Sequence, residues 1–482
     1  MNEKKQKVFL AIPPTGMYNR DDRCQDKSGD LAIFSNRPPL NLMLMGGILE
    51  RDRIEYFARD YPAEKLGWDD FKADLAKYDP THLVVDVCTP TVYRDMQACR
   101  IAKSYNKDIV TIGRGAHFIY KDTEIMSGCP ELDLAIRSEV EGVLYGLVKD
   151  NVREVGGITY RENGSLIRTP DNPALDNIDC MGELSYRVFD PLKYRNPETG
   201  KPEATIIVGR GCPYKCIYCL AGPVHGNKVR LRSVQSVIAE IERLAGMGIK
   251  DFIFRSDLFT YDEEWLFDMC SNIMSLKYKI RWCTNSRADT IDSERLNAMK
   301  KAGCWGIGFG IESGNLEILR KIKKGITPEQ AENAIRLTRQ HGVKALAYFI
   351  IGFPWEGKDE IEDTIRFAKR LNADFTHFSA VYPYPGTEYY DIAVRNGLMK
   401  ENEFPPDALT KPVIGTFYLS VEEVRGYFNK AWRQCYLRPS YIYRTLRSTE
   451  NLRQLMNYSR AGYAVCLKLA RNMLSGGTSG NN

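Results

Sequence analysis

The sequence predicts an α/β protein: an N-terminal doubly wound Rossmann-like domain, a partial (β/α)6 TIM-type barrel and a helical C-terminal extension. Short apolar runs alternate with helical segments in two series, and a stretch without periodicity lies between the series. With 482 residues the chain is too long for a single hydrophobic core, so two or three domains are expected. We place them at 1–170, 201–395 and 396–475, with a linker at 171–200 and a disordered tail at 476–482.

Five apolar runs in the first series predict a parallel sheet. They lie at Lys7–Pro14, Ile54–Asp60, His82–Cys88, Asp108–Gly113 and Leu132–Arg137. Helices are expected at Leu40–Glu50, Trp68–Lys77, Tyr93–Lys103, near Thr123 and at Val140–Lys149. A small hairpin over 156–169, with its turn at Asn163 and Gly164, follows the series. Ligands of doubly wound sheets bind beyond the carboxyl ends of the strands.

Six strand–helix units make up the second series, which is too short for the usual eight-stranded barrel. Strands are expected at Thr205–Val208, Asp251–Phe254, Ile280–Cys283, Gly306–Ile311, Leu346–Gly352 and Phe375–Val381. The helices between them are expected at Val234–Met247, Asp262–Met274, Ser293–Ala302, Pro328–Gln340 and Lys358–Leu371. The fourth helix has the clearest ends, because Thr327 and Gln330 form a capping box and Gly342 follows its last turn.

Charge and hydropathy exclude several classes of protein. The net charge of +5 is small for this length and predicts no nucleic-acid partner. No apolar run is long enough to predict a transmembrane helix, and the polar segment Met1–Lys7 is not a signal peptide. A cytoplasmic location is therefore expected, and most of the 13 cysteines are expected to be small buried hydrophobic residues rather than disulfide partners.

Three cysteines depart from this pattern, since Cys212, Cys216 and Cys219 follow directly on the first strand of the second series. Barrel active sites lie at such strand ends, and thiolates are soft ligands that select iron–sulfur clusters, zinc or copper(I). Gly209 and Gly211 would let the backbone turn tightly around the metal. The spacing favours a [4Fe–4S] cluster with one iron left open. The alternatives are a zinc site with a remote fourth ligand, which no second CxxC pair supports, and three unrelated cysteines.

The cysteine segment resembles the radical S-adenosylmethionine (SAM) superfamily, in which an aromatic residue such as Tyr218 typically precedes the third cysteine. The chain looks most like the branch that carries a cobalamin-binding-type domain in front of the radical SAM core. Anaerobic magnesium-protoporphyrin ester cyclases and hopanoid-modifying enzymes belong to that branch. The resemblance extends over most of the chain through four further segments, each at a strand end: Arg255–Thr260, Gly308–Gly314, Phe349–Glu356 and Tyr382–Thr387.

The resemblance implies that the cluster binds SAM. The residues it assigns to SAM are the backbone around Tyr218, the side chain of Asp257 for the amino group, Glu312 and Ser313 for the ribose, Gly352 and Glu356 near the adenine, and Arg287. Structural alternatives stay open for three of these residues. Asp257 could cap a helix, Glu312 could pair with Arg287, and Arg287 could lie at the surface.

The resemblance also implies cobalamin at the strand ends of the first domain. The residues concerned are Pro13, Thr89, Thr91, Gly113, Gly115 and His117. The chain lacks the DxHxxG motif of ordinary cobalamin methyltransferases, and Gly113 to His117 departs from the Gly-Gly-x-His that the family often shows. The alternative is a domain that kept its fold and lost its cofactor, with His117 as an ordinary loop histidine.

The implied reaction is hydrogen abstraction from a substrate carbon, followed by cobalamin-dependent C-methylation. One alternative is cobalamin-independent cyclisation, ring contraction, dehydration or another rearrangement of a natural-product or lipid-like substrate, and another is a non-catalytic metal-binding protein. The candidate catalytic residues are His225, Tyr382 and Tyr384, with a loop histidine and two packing aromatics as the alternatives.

Two kinds of partner are expected besides the small-molecule substrate. Radical SAM chemistry implies an external one-electron reductant such as flavodoxin or ferredoxin. The C-terminal helices are basic and amphipathic, which is compatible either with peripheral contact to an anionic membrane or with packing on the barrel.

Overall fold

A seven-stranded, mainly parallel sheet and a six-stranded parallel sheet, each flanked by helices, dominate the computed structural model of the chain. The structure describes residues 5–23, 25–27, 38–149, 152–187, 189–190, 192, 194–196, 199–407, 409–447, 449, 455–456, 459 and 462. Most of the predicted extension beyond residue 447, and the tail predicted at 476–482, lie outside these residues. None of the described helices is both long enough and apolar enough to cross a membrane.

The first sheet contains seven strands: β1 (Lys7–Ile12), β2 (Glu55–Asp60), β3 (His82–Asp86), β4 (Val110–Arg114), β5 (Leu134–Ile136), β6 (Ile158–Glu162) and β7 (Ser165–Arg168). Their order is β2-β1-β3-β4-β5-β6-β7, and β1 to β5 run parallel, which confirms the predicted sheet. The predicted hairpin forms as β6 and β7 and extends this sheet beside β5. Asn163 and Gly164 at its turn have φ values of 50° and 80°, as a two-residue hairpin turn requires.

Seven helices accompany this sheet: α1 (Leu40–Arg51), α2 (Tyr61–Glu64), α3 (Trp68–Tyr78), α4 (Val92–Asp95), α5 (Gln97–Tyr105), α6 (His117–Gly128) and α7 (Leu144–Val148). Two of the predicted helices are not continuous α-helices in the structure, so those two predictions were wrong. The helix expected at Tyr93–Lys103 is divided at Met96, and the one expected at Val140–Lys149 begins as a 3-10 turn. At that turn the side chain of Glu141 pairs with Arg210 at 2.8 Å. The short helix expected near Thr123 is twelve residues long.

Both faces of the first sheet are covered, which explains why its central strands are continuous apolar runs. In β1, Val8 and Leu10 pack in one core with α1 and α7. Phe9 and Ala11 pack in a second core with α3 and α5 on the opposite face. The sheet is therefore doubly wound, and its strand ends remain for ligands.

The second part of the chain has eight strands: β8 (Glu203–Ile207), β9 (Gly209–Arg210), β10 (Arg230–Leu231), β11 (Asp251–Arg255), β12 (Arg281–Ser286), β13 (Cys304–Glu312), β14 (Lys344–Ile351) and β15 (Phe375–Ala380). Six of them form a parallel sheet in the order β15-β14-β13-β12-β11-β8. These are the six predicted strands. The short strands β9 and β10 pair antiparallel beside them.

Ten helices follow: α8 (Ala221–His225), α9 (Val234–Gly246), α10 (Glu263–Ser275), α11 (Ser293–Lys301), α12 (Leu316–Lys321), α13 (Pro328–Gln340), α14 (Lys358–Leu371), α15 (Glu388–Arg395), α16 (Val421–Tyr436) and α17 (Pro439–Arg447). Helices α13 and α14 have the predicted bounds. The capping box of Thr327 and Gln330 is present in both directions, so that prediction is confirmed.

The six-stranded sheet curves without closing. Strands β8 and β15 lie at its two ends, and no pairing joins them in the described residues. One face packs on the helices. The other face lines a cavity of about 890 Å³, which Trp432 and Tyr441 of α16 and α17 also line.

Ion pairs hold the carboxyl edges of the two sheets against each other. Glu139, which follows β5, pairs with Arg210 at 3.1 Å and with Arg230 at 2.8 Å. Asp21, in the segment after β1, pairs with Arg255 at the end of β11. Loops from both edges therefore surround the same space. The residue boundaries predicted between the domains stay predictions.

Candidate active site

The three cysteines lie on the loop between β9 and α8, which follows the carboxyl end of β8. All three are half-buried, and none is in a disulfide. Cys212 N donates to Gly226 O at 3.1 Å, Cys219 N donates to Cys216 O at 3.2 Å, and Ala221 N donates to Cys219 Sγ at 3.4 Å. In the part of the chain that the structure describes, no three His, Cys, Asp or Glu side chains converge on the position of a single metal ion.

Burial of the loop affects its thiols. It raises the pKa of Cys212, and it raises the pKa of Cys219 to about 12. Iron binds the thiolate form, so loading of a metal would release protons from these side chains. The bond from Ala221 N stabilises negative charge on the Cys219 sulfur.

Gly211 sets the path of the loop. Its φ is +88°, and a Cβ at this position would lie 2.0 Å from the carbonyl oxygen of Lys228. Only glycine meets both conditions without a shift of the backbone. Gly211 therefore permits a tight turn of the loop, and the turn of Gly209 and Gly211 around a metal stays a prediction.

Asp257 follows β11 and binds three groups around the cysteine loop. Its Oδ2 accepts hydrogen bonds from Gly211 N and His225 Nδ1, both at 2.8 Å, and its Oδ1 lies 3.1 Å from Arg23 Nη1. The alternative role as a helix cap was wrong, because Asp262 is the N-cap of α10. Asp257 instead links the cysteine loop to both sheets.

The charge state of Asp257 follows from these contacts. Burial alone would raise the pKa of its carboxyl, but the interactions with His225 and with the guanidinium of Arg23 outweigh burial and hold the pKa well below its usual range. Ionised Asp257 accepts a hydrogen bond from His225 Nδ1. This bond orients the imidazole, which lines the cavity next to the cysteine loop.

Arg287 follows β12 and is only 6% exposed, so the surface alternative was wrong. Its guanidinium binds Asp289 at 2.8 and 2.9 Å and donates to Lys324 O at 3.0 Å. The guanidinium carbon lies 3.5 Å from the ring centre of Tyr214, inside the cysteine loop. Arg287 thus stabilises the loop through Tyr214.

Glu312 ends β13 and pairs with Lys324, whose Nζ lies 2.7 Å from Glu312 Oε1. The alternative pair with Arg287 was wrong. Lys324 Nζ also donates to Tyr218 OH at 3.4 Å. Glu312 and Lys324 are each 6% exposed, so the pair is a buried link between β13 and the aromatic residue of the cysteine loop.

Three other residues assigned to SAM, Ser313, Gly352 and Glu356, form hydrogen bonds within the protein. Ser313 is fully buried, and its hydroxyl lies 2.9 Å from Thr364 Oγ1. Glu356 Oε2 accepts hydrogen bonds from Gly352 N at 2.7 Å and Phe353 N at 2.9 Å. Burial raises the pKa of Glu356 to about 8. Contacts of these residues with SAM stay a prediction.

Tyr382 and Tyr384 pack in a small buried group with Ala116 and Leu220. Their ring centres are 4.8 Å apart, and Tyr382 OH donates to Pro405 O at 3.1 Å. Neither tyrosine lines the large cavity. This placement favours packing aromatics, and a catalytic role for them stays a prediction.

The polar residues predicted for cobalamin are buried at the carboxyl ends of β3 and β4. His117 Nδ1 lies 3.3 Å from Thr89 Oγ1, Thr89 N donates to Gln25 Oε1 at 2.7 Å, and Thr91 Oγ1 donates to Asp95 Oδ2 at 2.6 Å. Burial lowers the pKa of His117 to about 3, so the imidazole is neutral. Its Nε2 has no hydrogen-bond partner within the described residues.

The glycines of the same edge make room for protein atoms. A Cβ on Gly113 would lie 2.5 Å from the ring of Phe118, and one on Gly115 would lie 2.4 Å from Val87 O. Pro13 is buried at the end of β1. Close packing within the protein is therefore sufficient to explain why glycine occupies both positions. The sequence pattern did not indicate this packing.

The large cavity contacts both sheets. At the cysteine loop it is lined by His225, Ser256 and Asp257. At the first sheet it reaches Ile12, Asp60 and Asp86, which end β1, β2 and β3. The cavity does not reach Thr89, Thr91 or His117. The part of the sheet edge that lines the cavity therefore differs from the part that the sequence predicted to bind cobalamin.

Two important residues were missed from sequence. Lys324 lies in a loop between α12 and α13, and Arg23 lies in the long segment after β1. Neither position belongs to a periodic or spaced motif. Both act through partners on other elements, Glu312 for Lys324 and Asp257 for Arg23, and no local signal marks such contacts.

Comparison with known proteins agrees with this arrangement. The family model "Radical SAM superfamily" matches residues 206–368. The chain is 31% identical to an uncharacterised methyltransferase of Pyrococcus horikoshii, over 91% of this chain and 94% of the relative. It is 26% identical to the anaerobic magnesium-protoporphyrin IX monomethyl ester cyclase of Rubrivivax gelatinosus, over 75% of this chain and 67% of the cyclase.

A solved structure shares the fold. The cobalamin-dependent SAM radical enzyme OxsB, determined with aqua-cobalamin and SAM bound, superposes with a TM-score of 0.71 at 16% identity. The match covers 96% of this chain and 72% of OxsB. The cysteine loop, the strand-end residues around it and the similarity along almost the whole chain lead to one conclusion: the chain belongs to the radical SAM superfamily of enzymes.

Proposed function

We propose that this enzyme cleaves SAM reductively, removes a hydrogen atom from a carbon of an organic substrate, and methylates that carbon with a methyl group carried by cobalamin. One observation carries the proposal: the carboxyl edges of two parallel sheets meet at a single cavity of about 890 Å³, beside the three-cysteine loop. One edge suits a radical SAM site, and the other suits a cofactor that binds to a doubly wound sheet.

The donor set of the cysteine loop fits a [4Fe–4S] cluster. Cys212, Cys216 and Cys219 would hold it, since three half-buried thiols without disulfide partners are soft ligands. Such a cluster, with one iron free to bind SAM, supplies the electron that produces a 5′-deoxyadenosyl radical. Gly211 and Asp257 fix the loop, and Arg287 braces it through Tyr214.

The protein positions SAM through the residues that follow the barrel strands. We assign the cluster side of the SAM site to Tyr218 and to the Glu312–Lys324 pair beside it. Asp257 is held ionised, so it can accept hydrogen bonds from an amino group. His225 lines the cavity with its imidazole oriented by Asp257, which places a polar side chain beside the substrate space.

Residues of the first sheet would hold cobalamin at the open half of its edge. Ile12, Asn41 and Asp86 line the cavity there. Asp86 is buried and pairs with Arg114 at 3.1 Å, so its carboxylate is a fixed polar part of the cavity wall. The methyltransferase similar to 91% of this chain supports methyl transfer as the reaction.

A second candidate function is a cobalamin-independent radical cyclisation or rearrangement. The observation that favours cobalamin independence is the burial of Thr89, Thr91 and His117 beneath internal contacts. The match to an ester cyclase over 75% of the chain supports cyclisation as the reaction. In either case an external one-electron reductant of the flavodoxin or ferredoxin type would supply the cluster.

The test uses anaerobically reconstituted protein, reduced with dithionite in the presence of SAM and hydroxocobalamin. The measured quantities are 5′-deoxyadenosine by mass spectrometry and corrin absorbance after desalting. Deoxyadenosine with one retained corrin per chain supports the methyltransferase. Deoxyadenosine without corrin overturns methyl transfer and favours the rearrangement, and absence of deoxyadenosine overturns both.

Cysteine variants provide the matched control. Replacement of Cys212, Cys216 and Cys219 by alanine should abolish iron binding and the broad absorbance of the cluster. Cys180→Ala, at an exposed cysteine outside the loop, should retain both. Stoichiometric iron in the triple variant would contradict the assigned ligands.

A further inference from the structure

The inner face of the open barrel carries a continuous row of aromatic side chains. Tyr348 and His377 have ring centres 6.1 Å apart, His377 and Trp432 are 5.4 Å apart, Trp432 and Tyr436 are 5.2 Å apart, and Tyr436 and Tyr441 are 5.0 Å apart. All five line the cavity. The row begins on β14 and ends on α17, which is bonded to Asn372 and Ala373 just before β15.

The end of this row on α17 is apolar and open to solvent. Leu437 is 43% exposed, Ile442 is 45% exposed and Leu446 is 53% exposed, and all three line the cavity. A group of exposed large apolar side chains at the mouth of a cavity is typical of a ligand site. The helix that carries it is fixed, because Arg444 donates to Asn372 O at 2.8 Å and to Ala373 O at 2.7 Å.

Three arginines that line the cavity already have acidic partners. Arg20 pairs with Asp95 at 2.9 Å, and Arg210 pairs with Glu141 at 2.8 Å. Arg255 pairs with Asp21. Because these guanidiniums are paired, binding an anionic group there would require breaking internal ion pairs, whereas an apolar molecule would leave them intact.

We propose that the substrate is a large, mainly apolar molecule without an anionic group, which enters the cavity past α17 and lies along the aromatic row toward the cysteine loop. This assignment rests on the proposed function, because it names the substrate class of the same site. The aromatic row supplies broad apolar contact, and Asp257 and His225 mark the reacting end of the cavity.

The test is binding of the neutral fluorescent probe N-phenyl-1-naphthylamine to the full-length, cluster-reconstituted protein. The probe should bind at about one per chain with enhanced fluorescence. Leu446→Glu, which puts a charge at the mouth, should weaken binding by about tenfold or more. Tyr443→Glu is the matched control: Tyr443 lies on the same helix, is 64% exposed and does not line the cavity, so this variant should bind as the unaltered protein does.

Equal affinity of the two variants, or absence of probe binding by the unaltered protein, would overturn the proposal. The probe requires neither SAM nor reduction, so its binding is independent of SAM cleavage. If deoxyadenosine is not formed while the Leu446→Glu effect is present, the proposed function fails and the apolar site stands. If deoxyadenosine forms and the two variants bind alike, the proposed substrate class fails alone.

Discussion

Glu312 has an unusual backbone for a residue that is not glycine. Its φ is +69°, and the pairing of β13 with β14 shifts in register next to it. Such a conformation costs of the order of 1–3 kcal/mol and tends to occur at functional sites. Here it turns the carboxylate toward Lys324, and Gly310 leaves the space, since a Cβ on Gly310 would lie 2.5 Å from Glu312 Oε1.

Removing one partner of this buried pair should destabilise the protein more than removing both. Lys324→Met leaves the Glu312 carboxylate buried without its ion partner, so we expect a loss of about 3–5 kcal/mol in the free energy of unfolding. The double variant Glu312→Gln with Lys324→Met should recover much of that loss. Urea unfolding measures both, and a double variant less stable than Lys324→Met would contradict the buried pair.

The cysteine loop, as an element, depends on close approach to the segment before β10. Gly211→Ala would force a Cβ against Lys228 O, so we expect iron per chain to fall several-fold after reconstitution. Gly248→Ala is the control, because Gly248 also has a positive φ, of 92°, but nothing lies within 4 Å of its added Cβ. Equal iron content in both variants would show that the contact is unimportant.

At the scale of elements, sequence periodicity was sufficient for the strands and for the helices with clear caps. Helix α13 was predicted to the residue because Thr327 and Gln330 signal its start through local hydrogen bonds. The division at Met96 was missed, since the segment has helical composition throughout. The 3-10 turn before α7 was missed because its acidic side chains pair with a distant arginine.

In the candidate site, too, some residues could be predicted from local sequence and others could not. Cys212, Cys216 and Cys219 could be proposed as cluster ligands from spacing alone, because all three lie on one loop. The partner of Glu312 could not be assigned, since Lys324 reaches it only after β13 and the loop before α13 have folded together. The predicted cobalamin contacts at Thr89 and other residues also depend on which loops cover the sheet edge.

For the whole molecule, Glu139 is the main electrostatic link between the sheets. Burial alone would raise the pKa of its carboxyl, but hydrogen bonds from Arg230 and the charge of Arg210 lower it to about 2. Because the pKa is lower in the folded state, this link stabilises the protein above the usual pKa of a glutamate. The stabilisation is lost as the pH falls from about 4.5 toward 2.

Glu139→Gln should therefore lower the urea midpoint at pH 7, and the difference from the unaltered protein should shrink as the pH falls below about 4.5. The contribution of the carboxylate should be about 3 kcal/mol near neutral pH, from the size of the pKa change. Glu317→Gln is the control, because Glu317 is 60% exposed and pairs only with Arg320 among the described contacts. A difference between Glu139→Gln and the unaltered protein that does not change with pH would contradict this account.

The unpaired flank between β8 and β15 has a consequence for how the enzyme can diversify. In a closed barrel the interior can widen only if backbone hydrogen bonds between strands are broken. Here the sheet is open, and α16 and α17 line the cavity beside β15, so the interior can change width by repacking two helices, with every strand ladder intact. New substrate specificities should therefore arise through substitutions in α16 and α17. The strands beside the radical SAM site should need no change.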